Sequence, residues 1–149
     1  MIGKVFVDTN VLVYPYDRSH PEKQVRALGV LERLVLNGQG VLSAQVLGEF
    51  FRVVTTKLLD PLSMEEAERQ VQAYFQTWVV TDITPLIVLE AARGVREHRL
   101  NYWDAQLWAT ALLNQAPVVL SEDFADGRTI EGIRFLNPFS RQFQMAQLG

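Results

Sequence analysis

The chain has 149 residues and a mass of 16.9 kDa, and 48% of its residues are hydrophobic, which predicts one folded domain over residues 1–149 and excludes intrinsic disorder. The formal net charge of −3 excludes a nucleic-acid binder that depends on bulk positive charge. Cysteine is absent and there are two histidines, which excludes disulfide scaffolds, thiol nucleophiles and thiolate zinc sites.

Short apolar runs alternate with helical patterns along the chain. In chain order, strands are predicted at Lys4–Val7, Val41–Leu42, Trp78–Val80, Pro117–Leu120 and Ile133–Leu136. Helices are predicted at Glu22–Leu36, Ala44–Leu58 and Met64–Gln76, from Pro85 to about Glu97, and after Asn101. This alternation indicates an α/β fold with a mainly parallel sheet, and the tail after about residue 138 is expected to be peripheral.

Apolar residues at helical spacing support two of these helices. The first helix carries a stripe formed by Val25, Leu28, Leu31 and Val35. The second is predicted to bury Val46, Phe50, Val53 and Val54. The three tryptophans are predicted to lie mostly in the core: Trp78, Trp103 and Trp108.

The N-terminus lacks the pattern of an export signal, because Asp8 interrupts its apolar run. No apolar stretch approaches the roughly 18 residues of a membrane helix. The absence of cysteine is typical of cytosolic proteins. We therefore expect a cytoplasmic protein that does not enter a membrane.

Four acidic residues follow a rule of parallel sheets. Asp8 directly follows the first strand, and Asp123 lies three residues after the fourth. Glu49 lies in the second turn of the helix after the second strand, and Asp104 lies in the first turn of the helix capped by Asn101. The carboxyl ends of parallel strands and the N-termini of the connecting helices share one edge of the sheet. We therefore expect the four acids at that edge, where open α/β sheets bind ligands.

Clustered carboxylates repel one another, so some of them take up protons unless a cation neutralises them. Mg²⁺ and Mn²⁺ are hard ions that prefer oxygen ligands. Such ions lower the pKa of bound water, and a pair of them stabilises the attacking and leaving oxygens of a phosphodiester. Metal-assisted phosphodiester hydrolysis is therefore one chemistry that these residue types support.

Each acid also has a purely structural interpretation, which the sequence leaves open. Asp8 is a common residue type at the start of a turn, and Glu49 borders the apolar face of its helix. Asp104 is placed to form a capping arrangement with Asn101 and to complement the helix dipole.

Three other polar residues lie beside the acids and are candidates for supporting roles. Asn10 is two residues from Asp8 and can hold that carboxylate in position or bond to local backbone. Ser121 precedes Asp123 by two residues, and it is either a cap or a contact to a metal-bound water or a phosphate. Asp126, in the same loop, is a weaker candidate.

The motifs VFVDTNVL at residues 5–12, YWDA at 102–105 and VVLSEDF at 118–124, together with Glu49, occur in a fixed order. With this order and spacing, from about residue 2 to residue 139, the chain resembles the PIN-domain family and most closely the VapC-type toxin ribonucleases. The resemblance implies a three-layer α/β/α sandwich around a mainly parallel sheet of about five strands. It also implies endoribonuclease activity that depends on one or two Mg²⁺ or Mn²⁺ ions.

The resemblance also assigns roles to residues and partners. The four acidic positions of the family fall on Asp8, Glu49, Asp104 and Asp123, which would hold the metal and carry out catalysis. The polar residue that often accompanies them falls on Asn10, and the Ser or Thr before the last acid falls on Ser121. Members commonly form homodimers and are inhibited by a small cognate antitoxin that blocks the acidic groove.

Basic residues near the acids are candidates for contacts with RNA phosphates. Arg52 lies one turn beyond Glu49, Arg18 lies in the first loop, and Arg99 precedes the helix that carries Asp104. Each is also an ordinary solubilising residue. Tyr14 and Tyr16 are suited to stacking on a base or to packing.

Two other functions remain open on the sequence alone. Asp8 suits the nucleophile of an aspartyl-phosphate phosphatase, although such sites usually have a second acid two residues on, where this chain has Asn10. A non-catalytic module that binds the basic tail of a partner protein is the other alternative. A dinucleotide-binding domain is disfavoured, because no G-x-G-x-x-G motif follows the first strand.

Overall fold

Strands and helices alternate through residues 3–149, the part of the chain that the computed structural model describes. The strands are β1 (Val5–Val7), β2 (Gly40–Ser43), β3 (Val79–Thr81), β4 (Val118–Leu120), β5 (Thr129–Ile130) and β6 (Ile133–Leu136). The α-helices are α1 (Thr9–Val13), α2 (Pro21–Leu36), α3 (Ala44–Thr56), α4 (Met64–Thr77), α5 (Pro85–His98) and α6 (Tyr102–Leu113). Two 3₁₀ turns lie at Tyr14–Tyr16 and Met145–Leu148.

The sheet has the strand order β3-β2-β1-β4-β6-β5, in which only β5 runs antiparallel to its neighbour. β1 is central, and Val5 pairs with Gly40 on one side and with Val118 on the other. The chain changes direction across the sheet between β3 and β4. Because crossovers between parallel strands are right-handed, this change places α5 and α6 on the face opposite α2, α3 and α4. The predicted three-layer α/β/α sandwich with a mainly parallel sheet is confirmed.

Polar side chains cap the first turns of several helices. The hydroxyl of Ser43 accepts a hydrogen bond from the backbone N–H of Val46 at the start of α3. Thr84 caps α5, which has proline at its first position, and Asn101 caps α6. The short helix α1 was not predicted; it begins after Asp8, whose carboxylate accepts a hydrogen bond from the backbone N–H of Thr9.

The face that α2 buries differs from the predicted stripe. The residues packed into the core are Ala27, Val30, Leu31 and Leu34. Of the predicted stripe only Leu31 is buried, whereas Val25, Leu28 and Val35 are exposed. Two apolar rows lie side by side on this helix, and the sheet covers the one that contains alanine, because a small residue permits close approach.

The tryptophans divide between core and surface. Trp108 is fully buried and Trp78 is nearly so, but Trp103 has 62% of its surface exposed, so the prediction that it lies in the core is wrong. Trp108 packs where α5 and α6 meet at Gly94. A Cβ added to Gly94 would lie 2.9 Å from two carbons of the Trp108 ring, so glycine is required for this close packing.

The C-terminal tail is less peripheral than expected. Phe143 and Leu148 are buried in the core cluster. The Nε2 of Gln39 donates a hydrogen bond of 2.8 Å to the carbonyl of Leu148, and Arg33 donates one of 2.6 Å to the carbonyl of Gly149. These contacts hold the last 3₁₀ turn beside α2. Within residues 3–149, every helix is too short or too polar to cross a membrane.

Candidate active site

A groove of about 360 Å³ opens at the carboxyl edge of the sheet. Asp8, Asn10, Glu49 and Asp123 line it. Asp8 follows β1 and Asp123 follows β4, the two adjacent strands where the direction of the chain across the sheet reverses. Such a reversal leaves a crevice between the diverging connections, and ligands of open α/β sheets bind there.

Asp8 is a buried carboxylate with both oxygens hydrogen-bonded. It is 4% exposed; Oδ1 accepts a 2.7 Å bond from the backbone N–H of Thr9, and Oδ2 accepts a 2.6 Å bond from the Ser121 hydroxyl. Burial raises the pKa of Asp8 to about 7, the two hydrogen bonds oppose that rise, and the charges of Asp123 and Glu49 add to it. Near neutral pH, Asp8 therefore needs either a proton or a cation.

The amide of Asn10 lies between two of the acids. Its Nδ2 is 3.4 Å from Oδ2 of Asp8, 3.2 Å from Oδ2 of Asp123 and 3.5 Å from Oγ of Ser121. Its Oδ1 accepts a 3.2 Å bond from the backbone N–H of Glu122. Asn10 thus ties the end of β1 to the loop after β4, while Ser121 bonds both Asp8 and the backbone N–H of Asp123.

A chain of hydrogen bonds orients Glu49 from two directions. Its Oε2 accepts a 3.0 Å bond from the Thr9 hydroxyl, and its Oε1 accepts a 3.0 Å bond from Nε2 of Gln45. Gln45 accepts a bond of 2.8 Å from Gln106, which accepts one of 2.8 Å from the Tyr102 hydroxyl. Helix α6 therefore fixes the direction of a carboxylate on α3.

Asp104 takes part in the predicted capping arrangement with Asn101, and it is also close enough to other acids for their charges to affect its pKa. Asn101 accepts a bond from the backbone N–H of Asp104 and donates one of 2.5 Å to its Oδ2. The pKa of Asp104 is raised, chiefly by burial; the Asn101 bond opposes the rise, and the charges of Asp123 and Glu49 add to it. The structural and the functional interpretations of Asp104 are therefore compatible.

The donor set fits a hard divalent cation. Within residues 3–149, no basic side chain makes an ion pair with Asp8, Glu49, Asp104 or Asp123. All four donors are carboxylates, and oxygen ligands suit Mg²⁺ and Mn²⁺ better than they suit softer ions. The pKa of Asp8 is raised chiefly by burial, and the charges of Asp123 and Glu49 add to the rise; a bound cation would offset both effects.

A second acidic group has the opposite character. Ligand atoms of Glu97, His98 and Glu131 lie within 4.8 Å of one another, and it is the one such group within residues 3–149. However, Arg93 donates hydrogen bonds of 2.6 Å to Glu97 and 2.8 Å to Glu131. The guanidinium already supplies the positive charge, so this group serves as an ion-pair network between α5 and the β5–β6 turn.

Glu122 fastens the loop that carries Asp123. Its Oε1 accepts a 2.6 Å bond from the Tyr14 hydroxyl, and its Oε2 accepts a 2.5 Å bond from Nζ of Lys23. Lys23 also donates to the Tyr14 hydroxyl at 3.2 Å. The three side chains, which we call the Glu122 latch, hold this loop against α2.

The other candidates from the sequence lie outside the groove. Oδ1 of Asp126 accepts a 2.9 Å bond from the backbone N–H of Asn137, which is a turn contact rather than a groove contact. Arg18 is exposed and pairs with Asp60 at 3.4 Å. Arg99 ends α5 in the left-handed conformation, with a φ of 57°.

Lys57 lines the groove, whereas the predicted Arg52 does not. Both lie beyond Glu49 on α3 or at its end, and both are exposed. Sequence spacing favoured Arg52 because it is one turn from Glu49. However, residues seven or eight positions apart also lie on the same face of a helix. That longer spacing is the signal that would have identified Lys57.

The model of the PIN domain matches residues 5–125, a range that contains all four acids and the reversal between β1 and β4. The chain belongs to the PIN domain family. Among curated proteins, none matches this PIN domain.

Solved structures with the same fold come from several bacteria. A toxin–antitoxin complex from Klebsiella pneumoniae has a chain that matches with a TM-score of 0.68 and 19% identity, covering 91% of this chain and 98% of that one. VapC20 of Mycobacterium tuberculosis, described as a sarcin–ricin loop cleaving toxin, matches with a TM-score of 0.61 and 17% identity over 80% of this chain and 92% of that one. DNA-bound VapBC of Salmonella typhimurium matches with a TM-score of 0.61 and 20% identity over 89% of this chain and 96% of that one. These similarities show the fold.

Proposed function

We propose that this PIN domain is a divalent-metal-dependent endoribonuclease and the toxin of a toxin–antitoxin pair. One observation carries the proposal: the carboxylates of Asp8, Glu49 and Asp123 line one groove at the sheet reversal, Asp104 is close enough for the charges of Asp123 and Glu49 to raise its pKa, and no ion pair within residues 3–149 compensates these acids. A site of this kind favours cations strongly. The fold shared with VapC20, described as a sarcin–ricin loop cleaving toxin, supports the choice of RNA as substrate.

In this proposal the acidic residues have separate roles in the reaction. Asp8, Asp104 and Asp123 would hold one or two Mg²⁺ or Mn²⁺ ions, which supply a more acidic bound water and stabilise charge on phosphodiester oxygens. Glu49, held by Thr9 and Gln45, would bind an ion or orient the attacking water. Hydrolysis by water in this arrangement would leave a 3′-hydroxyl and a 5′-phosphate.

The same proposal includes protein partners. The Klebsiella and Salmonella structures are described as toxin–antitoxin and VapBC complexes, which supports a small antitoxin as the partner here. Exposed apolar side chains on α2 and α5 support contact with other protein surfaces, including a second copy of the chain: Val25, Leu28, Val35, Leu86 and Leu89. We place the protein in the cytoplasm, where its RNA substrate and antitoxin would be found.

The decisive experiment compares cleavage of total RNA by the purified protein with Mn²⁺, with Mg²⁺ and with a chelator. Discrete cuts that need the metal and vanish in Asp104→Asn are expected, because asparagine can still accept the hydrogen bond from Asn101 but lacks the charge. Asp60→Asn, which changes an exposed acid paired with Arg18, is the matched control and should cleave normally. Absence of metal-dependent cuts from folded protein would contradict the proposal, and 2′,3′-cyclic phosphate ends would contradict the assigned products.

The phosphatase alternative is weaker in this geometry. Both oxygens of Asp8 accept hydrogen bonds and the side chain is nearly buried, so it is a poor nucleophile. Phosphate trapped on Asp8 would reverse that judgement. For the non-catalytic alternative, Asp104→Asn should leave both partner binding and the toxicity of expression unchanged.

A further inference from the structure

The groove has two chemically different halves. Along α3 the lining passes from Glu49 to Val53, one turn on, and to Lys57 at the end of the helix. We therefore distinguish a half with the carboxylates of Asp8, Glu49 and Asp123 from an apolar half with Val13, Val53 and Leu58, and the carboxylate of Asp17 also lines the groove. Metal chemistry on a phosphodiester needs only the first half. The apolar half is therefore a feature that the proposed hydrolysis leaves unexplained.

Two of the three side chains of the apolar half are partly exposed. Val53 and Leu58 are only partly buried, although Val53 lies on the helix face predicted to be buried, whereas Val13 is 8% exposed and belongs to the core. Apolar surface held open to water costs about 25 cal/mol per Å², so covering it with a ligand is favourable. A groove of about 360 Å³ lies near the lower end of the range for small-molecule sites, which suits one nucleoside.

The walls of this half are fixed by backbone hydrogen bonds. The N–H of Lys57 donates to the carbonyl of Val53 at 2.8 Å, and the N–H of Leu62 donates to the carbonyl of Val54 at 2.9 Å. The bond from Leu62 turns the chain back after α3 and holds Leu58 beside Val53. A ligand that binds here meets a surface that is already ordered, which reduces the entropy lost on binding.

Polar groups surround the apolar walls. Lys57 lies at the end of α3 and makes no ion pair within residues 3–149, so its charge is available to a phosphate. Tyr14 also lines the groove, and its orientation is fixed by the Glu122 latch and by the Phe139 ring, whose centroid lies 4.7 Å from that of the Tyr14 ring. Tyr16 does not line this groove; its hydroxyl bonds Gln70 and its ring packs against Phe50.

We propose that the apolar half of the groove, formed by Val13, Val53 and Leu58, binds one unpaired nucleobase of the RNA next to the phosphodiester at the carboxylates. This rests on the proposed function and adds a specificity site to it. Lys57 contacts the backbone phosphate of the same segment, and that contact is independent of sequence. A base stacked in a duplex cannot enter, so the site selects nucleotides in loops or single strands.

The test uses a short RNA that the wild-type protein cleaves once. Two variants of this RNA carry an abasic nucleotide on one or the other side of the cut. Removing the base that occupies the site is expected to lower kcat/KM by about 5- to 100-fold, and removing the other base to change it much less. Equal rates on all three RNAs would overturn the proposal.

A pair of adjacent leucines provides the protein side of the test. Leu58→Ser is expected to lower kcat/KM on the intact RNA by about 3- to 10-fold and to leave the rate on the sensitive abasic RNA unchanged. Leu59→Ser is the matched control, because Leu59 is 87% exposed and does not line the groove. If Leu58→Ser fails to fold, Val53→Phe, which fills the apolar half, replaces it with the same expectation. Equal losses on intact and abasic RNA would show that Leu58 serves only the fold.

Binding measurements separate this proposal from the proposed function. Fluorescence anisotropy of Asp104→Asn with the intact and abasic RNAs measures the contribution of the base without cleavage. If the wild type cleaves no RNA, the same measurement uses a single-stranded oligonucleotide and its fully abasic counterpart; a preference for the oligonucleotide with bases that Leu58→Ser abolishes would support the base site and reject the nuclease. Cleavage by the wild type with no dependence on either base would support the nuclease and reject the base site.

Discussion

The molecule contains two clusters of acidic side chains that differ in what neutralises them. In one, Glu90, Glu97 and Glu131 surround Arg93, and His98 bonds Glu131. Hydrogen bonds from Arg93 and then from His98 lower the pKa of Glu131 to about 2. Every carboxylate in this cluster therefore has a positive partner that the chain itself supplies.

In the groove, acidic side chains lie in the opposite electrostatic environment. Burial raises the pKa of Asp8 to about 7 and also raises that of Asp104. The polar partner between Asp8 and Asp123 is the neutral amide of Asn10. Acids that are compensated internally stabilise a fold, whereas acids left uncompensated beside a groove create a demand for an external cation. The direction of the pKa shift distinguishes the two cases.

The largest expected effect is on RNA cleavage, which should depend on the acids of the groove and not on those around Arg93. Glu49→Gln should lower the rate of metal-dependent RNA cleavage by about 100- to 10,000-fold, because the amide cannot bind an ion or accept a proton. Glu97→Gln makes the same chemical change in the arginine-containing cluster and should leave the rate within about twofold. Single-turnover cleavage of a defined RNA measures both, and a comparable loss in both variants would refute the division.

The pH dependence of stability gives the next effect. Between the ordinary pKa of 3.8 and about 7, folded Asp8 keeps a proton that the unfolded chain has lost. In chelator, the stability of the wild type should therefore fall as pH rises from 5 to 8, by about 3 kcal/mol at most. Asp8→Asn cannot titrate and should have a flatter profile. Melting temperatures from circular dichroism at each pH provide the comparison, and parallel profiles would disprove the expectation.

A smaller change is expected from the Glu122 latch. Glu122→Gln weakens the bond to Lys23 and loosens the loop that carries Asp123, so cleavage should slow by about 2- to 10-fold and need more Mn²⁺. The melting temperature should stay close to that of the wild type. Glu65→Gln, on the exposed first turn of α4, is the control. Mn²⁺ titrations of cleavage would reveal the shift, and identical half-saturation points would exclude this role.

The smallest effect concerns stability in the second cluster. Arg93→Met leaves three carboxylates with only His98 and should lower the melting temperature slightly in dilute buffer. Salt at 1 M screens these exposed charges, so the difference from the wild type should shrink there. A difference that persists in 1 M salt would indicate that the contact between the Arg93 guanidinium and the Trp108 ring matters more than the ion pairs.

Most of the strands and helices could be predicted from the sequence, because elements of ordinary length are long enough to show apolar runs or helical periodicity. Two short elements were missed for physical reasons. Helix α1 has five residues, too few for a periodic pattern, and β5 has two residues that pair only through the turn at Glu131 and Gly132. Positive φ at both turn residues matches the preferred geometry of two-residue hairpins. The exposed stripe of α2 shows that periodicity identifies a helix without deciding which face is covered.

Asp8, Glu49 and Asp123 lie in one groove, as the topology of the sheet predicts, but most of their supports were not predicted. Thr9 donates to Glu49 through the packing of α1 against α3, which sequence distance does not reveal. Gln45 lies one helical turn before Glu49, a spacing visible in the sequence, but its own bond from Gln106 depends on the packing of α6. Gln106 offered one signal, as a polar residue within the buried run from Ala105 to Ala111 of α6. Lys57 was also within reach of the sequence, because it lies eight residues after Glu49 on the predicted helix.

The pairing of β1 with β4 has a consequence for the synthesis of the protein. The hydrogen bond between Asp8 and Ser121 joins residues 113 positions apart, and the loop after β4 is held in place by β6, which ends at Leu136. Contacts of such separation form late in folding. A nascent chain still attached to the ribosome therefore carries the acids on unconnected segments, and the proposed nuclease is inert until nearly all of it has emerged.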